Sequence, residues 1–342
     1  MPIEIRSADL ESDRAALVEL MRQALTPESD VERFEWLYRR GPHGAARAWL
    51  AVDGGTREPV GAAAAFPRRM WWDGKERSAF VLGDFCMLEK YRSLGPSLAL
   101  QRACMNGIAN GAEAFFYDFP SQGMMAVYKR LGIAPAGELV RWALPLRSGA
   151  KLEALTRSKK VARGLAPLAD FALAKRGWKG SKSACDVSLQ QGRCSDEFTA
   201  LDQETRSLRG LRTARTADYL NWRYLAHPSV RHEIFAARKA GKLIGYAVCA
   251  AAGDEAIIAD LNCADSAEVV ARLLHAAAAH FRKRGASTIS LHAGARHPWN
   301  EVFARAGFRA REAAPIIVHS ADGAMSAALA KGWFVMSGDR DS

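Results

Sequence analysis

Two short segments in the first half of the chain carry residue types that could bind an anion and move a proton. Asp84 lies in an apolar run, residues 78–88, that predicts a β-strand, and the segment YRSLGPS from Tyr91 to Ser97 follows it. Tyr128 lies farther along the chain, in the segment VYKRLGI. A carboxylate can accept a proton as a general base and a phenol can donate one as a general acid, so both residues are candidates for proton transfer.

The YRSLGPS segment is suited to binding an anion because it leads into a helix predicted from about residue 96 to residue 110. The N–H groups at the start of a helix lack intrahelical acceptors, and the helix dipole favours negative charge there. Gly95 permits close approach of a ligand to the backbone. Pro96 suits a first helical turn, and Arg92 adds a positive charge. The segment therefore predicts a pyrophosphate site.

An internal repeat relates the two halves of the chain. The segments FEWLY (residues 34–38) and LNWRY (residues 220–224) share the pattern apolar-x-Trp-x-Tyr, and each has a proline four residues after the tyrosine. The two tryptophans are 186 residues apart (222 − 36 = 186). Further matches follow downstream in the same order in both copies. They are two strand patterns, then Asp84 and Asp260, then VYKRLGI and VFARAGF. Matches that keep one order indicate a duplicated module.

Both copies predict the same alternation of strands and helices. The predicted elements of the first copy are a helix at 12–25, strands at 48–53, 59–66 and 78–88, a helix at 96–110, a strand at 113–119, a helix at 122–131 and a strand at 138–146. Those of the second copy are strands at 233–238, 243–251 and 255–262, a helix at 266–284, a strand at 287–293, a helix at 298–306 and a strand at 313–319. This mixture predicts an α/β (α+β) fold of two modules, each a mixed central sheet flanked by helices.

The chain length of 342 residues agrees with two domains. We place the first module at residues 1–147 and the second at residues 183–342. Residues 148–182 between them carry nine lysines and arginines against two acidic residues, with apolar residues interleaved, which predicts a helical linker with a basic face. That face could be solvated, or it could dock an acidic partner.

The composition is that of a globular protein. The positive net charge indicates either an anionic partner or simply a basic surface that aids solubility. Hydrophobic residues make up 49% and charged residues 25% of the chain, and the formal net charge is +11. The six cysteines form no CxxC pair and fit no zinc pattern, so we expect free thiols, no metal and a reducing compartment. The N-terminal residues have no signal-peptide pattern, and no apolar run could span a membrane, which predicts a cytoplasmic protein.

The sequence resembles the GCN5-related N-acetyltransferase (GNAT) superfamily in a tandem, two-module form. Arg92-x-x-Gly95-x-Ser97 is similar to the family's Arg-x-x-Gly-x-Gly/Ala loop, with Ser97 in place of the last small residue. The segment from Tyr128 to Ile133 is similar to a later family motif, although Ser121 replaces that motif's usual asparagine. The resemblance covers about residues 1–147.

The resemblance implies a V-shaped sheet that opens between its fourth and fifth strands, with acetyl-CoA or another acyl-CoA bound there as cosubstrate. Backbone groups of Met87 and Leu88 would contact the pantetheine, Asp84 would act as the base and Tyr128 as the general acid. The backbone groups that would contact the pyrophosphate are those of Arg92, Ser93, Leu94, Gly95, Pro96 and Ser97.

The second copy lacks the features that carry this resemblance. The segment that corresponds to the phosphate loop, ADSAEVVARLL around Glu268, is acidic and has no glycine, and Phe303 stands where the first copy has Tyr128. Negative charge repels phosphate, and phenylalanine has no proton to donate. We therefore expect the second copy to bind no acyl-CoA and to shape the acceptor pocket or stabilise the first module.

The leading hypothesis is direct acyl transfer to the amine of a small molecule or an amino sugar, with acyl-CoA or an acyl-carrier protein as donor. A peptidoglycan-type transferase that uses aminoacyl-tRNA would also explain the positive charge. A non-catalytic module that binds acyl-CoA is the third hypothesis. We expect no DNA partner, while the acceptor, the acyl length and the oligomeric state stay open.

Overall fold

The computed structural model describes residues 2–109, 115–148, 185–208, 210–264, 266–320 and 332–340. Apart from Ser148, the predicted basic linker at 148–182 lies outside these residues. The chain belongs to the α/β (α+β) class, with a large mixed sheet flanked by helices.

The first copy of the repeat begins with a strand that the sequence did not predict and then follows the predicted order. Its elements are β1 (Ile3–Ser7), α1 (Arg14–Ala24), α2 (Val31–Phe34), β2 (Arg47–Asp53), β3 (Pro59–Trp72), β4 (Lys75–Met87), α3 (Leu94–Ala109), β5 (Phe115–Asp118), α4 (Gln122–Arg130) and β6 (Gly137–Pro145).

The second copy repeats this order from its third strand onward. Its elements are β7 (Asp186–Leu189), α5 (Asp196–Thr205), β8 (Arg212–Thr213), α6 (Ala217–Leu220), β9 (His232–Lys239), β10 (Lys242–Ala252), β11 (Glu255–Cys263), α7 (Ala267–Lys283), β12 (Thr288–Gly294), α8 (Asn300–Arg305) and β13 (Arg309–His319).

The predicted end of β3 at residue 66 was wrong, because the strand continues through Pro67 to Trp72. Proline has no N–H and is tolerated where one side of a strand is open. Strand β2 pairs with β3 only as far as Ala65, whereas β4 pairs with β3 along its whole length. The side of β3 that faces away from β4 is therefore open at Pro67.

Helix α7 shows how the sequence pattern produces the packing. The Ser266 side chain accepts a hydrogen bond from the Val269 N–H and caps the helix. Apolar side chains at helical spacing, among them Val270, Leu274 and Phe281, are buried against the sheet. Helix α3 covers the corresponding face of the first half through Leu100, Cys104 and Ile108.

The thirteen strands of the described residues join one sheet, in the order β1-β2-β3-β4-β5-β13-β6-β12-β11-β10-β9-β7, with β8 added to β3. The last strands of the two copies are exchanged at its centre. β6, from the first copy, pairs with β12 along Thr288–Gly294. β13, from the second copy, pairs with β5 through residues 317–319 and with β6 through residues 309–316. The two modules therefore share one sheet.

The Trp-x-Tyr segments of the repeat meet face to face in the core between the copies. Trp36 and Trp222 each lie in a five-residue π-helix, Glu35–Arg39 and Asn221–Leu225. Each indole N–H donates to the backbone carbonyl of the other tryptophan at 2.8 Å, and the rings stack at 5.3 Å. This reciprocal contact lies on a local pseudo-two-fold axis and explains why the same motif occurs in both copies.

Candidate functional site

The sheet opens between β4 and β5, where the family resemblance expects a donor site. The two strands pair in parallel only at Ala79–Val81, although β4 continues to Met87. On its other edge β4 carries a bulge, since Ala62 pairs with Cys86 but Ala64 pairs with Gly83. Asp84 lies in this bulge with φ +47, a backbone region that few non-glycine residues adopt.

A cavity of about 580 Å³ occupies this opening. One wall consists of β4 residues from Leu82 to Phe85, and the opposite wall of residues from Asp118 to Ser121. The second copy closes one side of the cavity with His227, Ser229, Val230 and Arg340. Both halves of the chain therefore build the candidate site.

Asp84 is held by three hydrogen bonds on the cavity wall. The two terminal nitrogens of Arg33 donate to its two oxygens at 2.9 and 2.8 Å, and the Tyr38 hydroxyl donates at 2.9 Å. The Asp84 side chain is 2% exposed. Burial, together with the charge of Asp84, raises the pKa of Tyr38 well above its usual value. The carboxylate is thus positioned by a bidentate ion pair and a protonated phenol.

Tyr128 lies next to the cavity and its side chain is fully buried. Its hydroxyl donates to Asp118 Oδ2 at 2.6 Å and accepts a hydrogen bond from Gln101 Nε2 at 3.0 Å. Gln101 and Asp118 line the cavity, so they stand between the phenol and the space inside it. Burial, followed by the charge of Asp118, raises the pKa of Tyr128 well above its usual value, and the phenol therefore keeps its proton at neutral pH.

The predicted phosphate loop leads directly into α3, whose first residue is Leu94. The N–H groups of Leu94 and Gly95 lie in the first turn, where the helix itself supplies no acceptor, and Pro96 has no N–H. A Cβ atom added at Gly95 would meet no other atom within 4 Å. The space beside Gly95 at the start of α3 is therefore open, and anion binding there stays a prediction.

The remaining predicted contacts lie around this loop. Ser97 is buried, and its N–H donates to the Ser93 carbonyl at 3.2 Å, within the first turn of the helix. Arg92 donates to the Met87 carbonyl at 3.3 Å. The Leu88 N–H donates to the Val60 carbonyl at 2.9 Å, so this amide is directed toward β3 and away from the opening.

The second copy has an opening of the same kind, but the chain itself fills it. β11 pairs with β12 only through Ile258, although β11 continues to Cys263. The segment 332–340 enters this gap: the Gly294 N–H donates to the Val335 carbonyl at 3.0 Å, and the Ser337 hydroxyl donates to the Ala259 carbonyl at 3.2 Å. Met336 in this segment is fully buried. The filled gap is a steric reason to expect no acyl-CoA in the second copy, in addition to the missing glycine loop and tyrosine.

A buried ionic cluster fixes the C-terminal segment in that gap. Arg215 Nε donates to both oxygens of Asp260, at 2.8 and 2.9 Å, and Arg215 Nη2 donates to both oxygens of Asp339 at 3.1 Å. Asp260 is the counterpart of Asp84, and it too is bound by an arginine, although Arg215 and Arg33 lie at different positions of the repeat. In both copies the carboxylate at this equivalent position of the repeat is thus part of a buried ion pair.

His227 and Arg340 are cavity residues that the sequence analysis did not identify. The His227 Nδ1 atom accepts the N–H groups of Ser229 and Val230 at 3.3 and 3.1 Å, so the neutral ring carries its proton on Nε2. Burial, followed by the charge of Arg223, lowers the pKa of His227 to about 4. His227 is therefore a neutral N–H donor at pH 7. In the sequence, Pro228 of the repeated pattern was the only local feature that marked this segment.

Two histidines whose pKa is lowered in the folded protein predict a loss of stability in acid. Burial lowers the pKa of both His227 and His232 to about 4, whereas an unfolded histidine has a pKa of about 6.5. Below pH 6.5 the unfolded chain takes up protons that the folded chain refuses, so stability is complete above that pH and falls as the pH decreases toward 4. We expect these two histidines together to lower the free energy of unfolding by at most about 4 kcal/mol between pH 7 and pH 5, and by less where solvent screens the half-buried His227.

Urea unfolding at the two pH values measures this effect. The His232→Gln variant should lose less stability than the wild type over the same interval, because it has one depressed histidine fewer. Equal free energies of unfolding at pH 7 and pH 5 in the wild type would contradict the prediction.

Three wider features of the described residues complete the description. No group of three or more His, Cys, Asp or Glu side chains within the described ranges is placed to hold a metal ion. All six cysteines are buried. In the part of the chain that the structure describes, no helix has the length and apolarity needed to span a membrane.

Similarity to solved structures places the fold among GCN5-related N-acetyltransferases. A GCN5-related N-acetyltransferase from Anabaena variabilis ATCC 29413 superimposes with a TM-score of 0.66 and 13% identity over 93% of this chain and 72% of that chain. A probable N-acyltransferase from Enterococcus faecalis V583 gives a TM-score of 0.68, with the same identity and coverages. A GCN5-related N-acetyltransferase from Kribbella flavida gives a TM-score of 0.58 with 13% identity, over 92% of this chain and 71% of that chain.

At the level of sequence, no family model and no curated protein matches this chain. The structural similarity, at 13% identity, thus shows that the chain has the GNAT fold.

Proposed function

We propose that the protein is an acyl-CoA-dependent N-acyltransferase, with acetyl-CoA as its donor, and that the opening between β4 and β5 is its donor site. The observation that carries this proposal is a cavity where β4 and β5 separate in the first copy, with the exposed start of α3 at Leu94 and Gly95 shortly after β4 in the chain. The matching gap in the second copy is filled by residues 332–340.

The residues around the opening suit a thioester carrier with a pyrophosphate. The N–H groups of Leu94 and Gly95, with the positive end of the α3 dipole, would bind the phosphate oxygens. Arg92 is exposed beside them and adds a positive charge. Beyond Val81, the edge of β4 that faces β5 has no strand partner among the described residues, and its backbone as far as Met87 could contact a pantetheine amide. The Leu88 N–H is already bonded to Val60.

The acceptor in this proposal is the amine of a small molecule or an amino sugar. It would enter the part of the cavity that His227, Arg340 and Trp36 line. The first module, residues 1–147, would bind the donor, and the second, residues 183–342, would complete the acceptor pocket. An acyl-carrier protein is an alternative donor, and a cytoplasmic location agrees with a CoA-dependent reaction.

Direct transfer requires that the amine nitrogen attacks the thioester carbonyl carbon while the carbon–sulfur bond breaks and the leaving thiolate gains a proton. We assign that proton to Tyr128, whose raised pKa keeps the hydroxyl protonated and whose partners Asp118 and Gln101 face the cavity. Asp84 would accept the amine proton, directly or through water, while Arg33 and Tyr38 hold its carboxylate in place.

Release of free CoA thiol from acetyl-CoA over a broad panel of amines tests the proposal. We expect amine-dependent thiol release and an acylated product whose mass increases by one acyl group. Mass spectrometry of ligands that copurify with the protein would identify donor and acceptor directly. A protein that neither binds CoA nor releases thiol with any amine would contradict the proposal.

A non-catalytic acyl-CoA-binding module is the second candidate function. The observation in its favour is that both proton-transfer candidates are engaged: Asp84 by Arg33 and Tyr38, and the buried Tyr128 hydroxyl by Asp118 and Gln101. Tight binding of CoA by calorimetry, combined with no thiol release over the whole amine panel, would favour this candidate over the enzyme.

Gly95 provides a sharp test of the donor site. The Gly95→Leu variant should fold as well as the wild type, because the added side chain has open space and glycine is about 1 kcal/mol less favourable than alanine in a helix. The same side chain would occupy the space that the phosphates need, so we expect the Kd for CoA to rise by at least about tenfold, the equivalent of about 1.4 kcal/mol.

Calorimetric titration with CoA and thermal melting measure the two effects. Gly137→Leu is the matched control, because Gly137 also has no atom within 4 Å of an added Cβ and lies on β6, away from the loop. Unchanged CoA affinity in Gly95→Leu would remove the loop from the donor site.

A further inference from the structure

The charged groups that line the cavity between β4 and β5 are divided between the two copies of the repeat. All carboxylates of the described lining come from the first copy, namely those of Glu28, Asp84 and Asp118. The side that the second copy closes contributes Arg340 and His227, which are N–H donors. The cavity therefore offers acceptors and donors in different places to a molecule that enters it.

Arg340 is held at the cavity by the backbone on both sides of its Cα atom. The carbonyl of the preceding Asp339 accepts the Tyr117 hydroxyl at 3.2 Å, and the Asp339 side chain belongs to the buried ionic cluster. The carbonyl of Arg340 itself accepts Arg223 Nη2 at 2.9 Å. The position of Arg340 is thus fixed without any contribution from its own guanidinium.

The Arg340 guanidinium has an accessible end and no acidic partner among the described residues. It lies 5.8 Å from the centre of the Phe119 ring, which also lines the cavity. Its Nε atom is buried, whereas its two terminal nitrogens keep accessible surface and donate no hydrogen bond within the described ranges. Arginine stays charged at neutral pH, so these nitrogens are suited to binding an anion.

His227 contributes a neutral donor on the same side of the cavity. Its neutral ring carries the proton on Nε2, which keeps accessible surface and has no hydrogen-bond partner in the described part of the chain. The ring lies 4.4 Å from the Trp36 ring, and the Arg223 guanidinium lies 5.5 Å from that same ring. Because Arg223 also donates to the Arg340 carbonyl, direct contacts connect His227 with Arg340.

The charges of the lining favour a group with a single negative charge. Arg33 and Arg340 are the cations among the described lining residues, and both terminal nitrogens of Arg33 donate to Asp84. One positive charge, that of Arg340, is left for a ligand. A carboxylate has one negative charge and two oxygens, so it can accept hydrogen bonds from a guanidinium and from an imidazole at once.

We propose that the acceptor is an amino acid, a small molecule with both an amine and a carboxylate, and that Arg340 and His227 bind its carboxylate. This inference rests on the proposed acyl transfer. The terminal nitrogens of Arg340 and the Nε2 atom of His227 donate to the carboxylate oxygens, and the amine lies toward Asp84 and Asp118. Acylation converts the amine to an amide and leaves the carboxylate unchanged. The second copy thereby selects the acceptor.

Thiol release from acetyl-CoA with matched pairs of amines tests this subsite. Each pair consists of an L-amino acid and its carboxamide, drawn from apolar, polar and charged side chains, and the measured quantity is the ratio of their kcat/KM values. In Arg340→Met we expect this ratio to fall at least about tenfold below that of the wild type, because the amino acid loses a charge-assisted hydrogen bond that the carboxamide never had. The fall should come from a higher KM for the amino acid.

Two further variants show whether charge or structure causes the change. Arg340→Lys keeps the positive charge and should recover part of the ratio. Arg309→Met removes an exposed positive charge of β13 that does not line the cavity, so it should keep the ratio of the wild type. A ratio that is the same in Arg340→Met and in the wild type would overturn the subsite while leaving acyl transfer in place.

A binding measurement separates failure of this subsite from failure of the proposed function. The imidazole NMR signals of His227, assigned with His227→Gln, are followed while each member of a pair is added to the full chain with excess CoA, which has no acyl group to transfer. Saturable shifts with an amino acid but not with its carboxamide, without thiol release from acetyl-CoA, would support the subsite and contradict acyl transfer. No saturable shift with any pair, together with no thiol release, would overturn both.

Discussion

Replacing Tyr128 by phenylalanine should lower the turnover of acyl-CoA by roughly ten- to a thousandfold while leaving the affinity for CoA nearly unchanged, because the substitution removes only a proton donor. The hydroxyl is 2.6 Å from Asp118 and 3.0 Å from Gln101, and both partners line the cavity. Its raised pKa keeps the hydroxyl protonated at neutral pH, so a proton is present for transfer to the leaving thiolate.

The control for this experiment must separate catalysis from stability. Removing the hydroxyl leaves Asp118 and Gln101 short of a partner, which costs about 1–3 kcal/mol of folding free energy. Tyr117→Phe is the matched variant: Tyr117 is also fully buried, and its hydroxyl donates to the backbone carbonyl of Asp339 at 3.2 Å, away from the donor loop. Its turnover should stay close to that of the wild type.

Single-turnover kinetics with a saturating amine, together with calorimetry for CoA, distinguishes the outcomes. Loss of turnover with intact binding in Tyr128→Phe supports the assigned role. Unchanged turnover would remove Tyr128 from the mechanism. Binding without turnover in the wild type itself would instead support the acyl-CoA-binding module, because the site would then hold the donor and transfer nothing.

Replacing Arg215 by methionine should lower the free energy of unfolding by about 3–5 kcal/mol or more, since it leaves two carboxylates buried without their cation. The side chains of Asp260 and Asp339 are 0% and 2% exposed, and Arg215 is the residue that bridges them. Burial already raises the pKa of Asp260, with Arg215 as the largest opposing influence. The variant therefore loses the interaction that keeps both groups charged inside the protein.

The sign of the pH dependence identifies the cause of this loss. Without Arg215, the folded pKa of Asp260 rises further above its unfolded value of about 3.9. Folding then favours the protonated carboxyl, so the variant is most stable below the unfolded pKa and loses stability as the pH rises through the folded pKa. The stability difference between wild type and Arg215→Met should therefore be smaller at pH 5 than at pH 8.

Urea unfolding at both pH values measures this difference. Arg69→Met is the matched control, because it breaks an exposed ion pair with Glu76 and should cost less than about 1 kcal/mol. Changing Asp260 and Asp339 to asparagine together with Arg215→Met should restore part of the stability. A loss that is the same at pH 5 and pH 8 would mean that lost packing, and not buried charge, causes it.

Local patterns predicted most of the elements of this protein. The helix over 96–110 and the helix over 266–284 each lie within two residues of α3 and α7 at both ends, because apolar spacing and N-terminal capping are local properties. The repeat predicted that the two copies share an element order, and the YRSLGPS loop predicted an open helix start. The assignments of Asp84 and Tyr128 to catalysis stay predictions.

The tertiary structure alone decided how the two copies combine. β6 and β13 occupy equivalent places in the repeat, so the side-chain alternation of each suits pairing with β5 or with β12. No local pattern could therefore show that β6 pairs with β12 of the second copy and β13 with β5 of the first. The same limit applies to Asp84, whose partners Arg33 and Tyr38 are 51 and 46 residues distant. Such pairings depend on how distant surfaces pack, which residue spacing does not encode.

The residues between Asp84 and Ser97 carry the features that the sequence alone could locate: a carboxylate within a strand and a helix start after it, for which anion binding stays a prediction. Only the tertiary structure decided that residues 332–340 fill the gap in the second copy, whereas no segment of the described residues enters the opening in the first, and that His227 and Arg340 line that opening. The physical reason is that occupancy of a gap depends on which distant segment reaches it. Local hydrogen bonds and apolar periodicity describe the gap's edges but not its occupant.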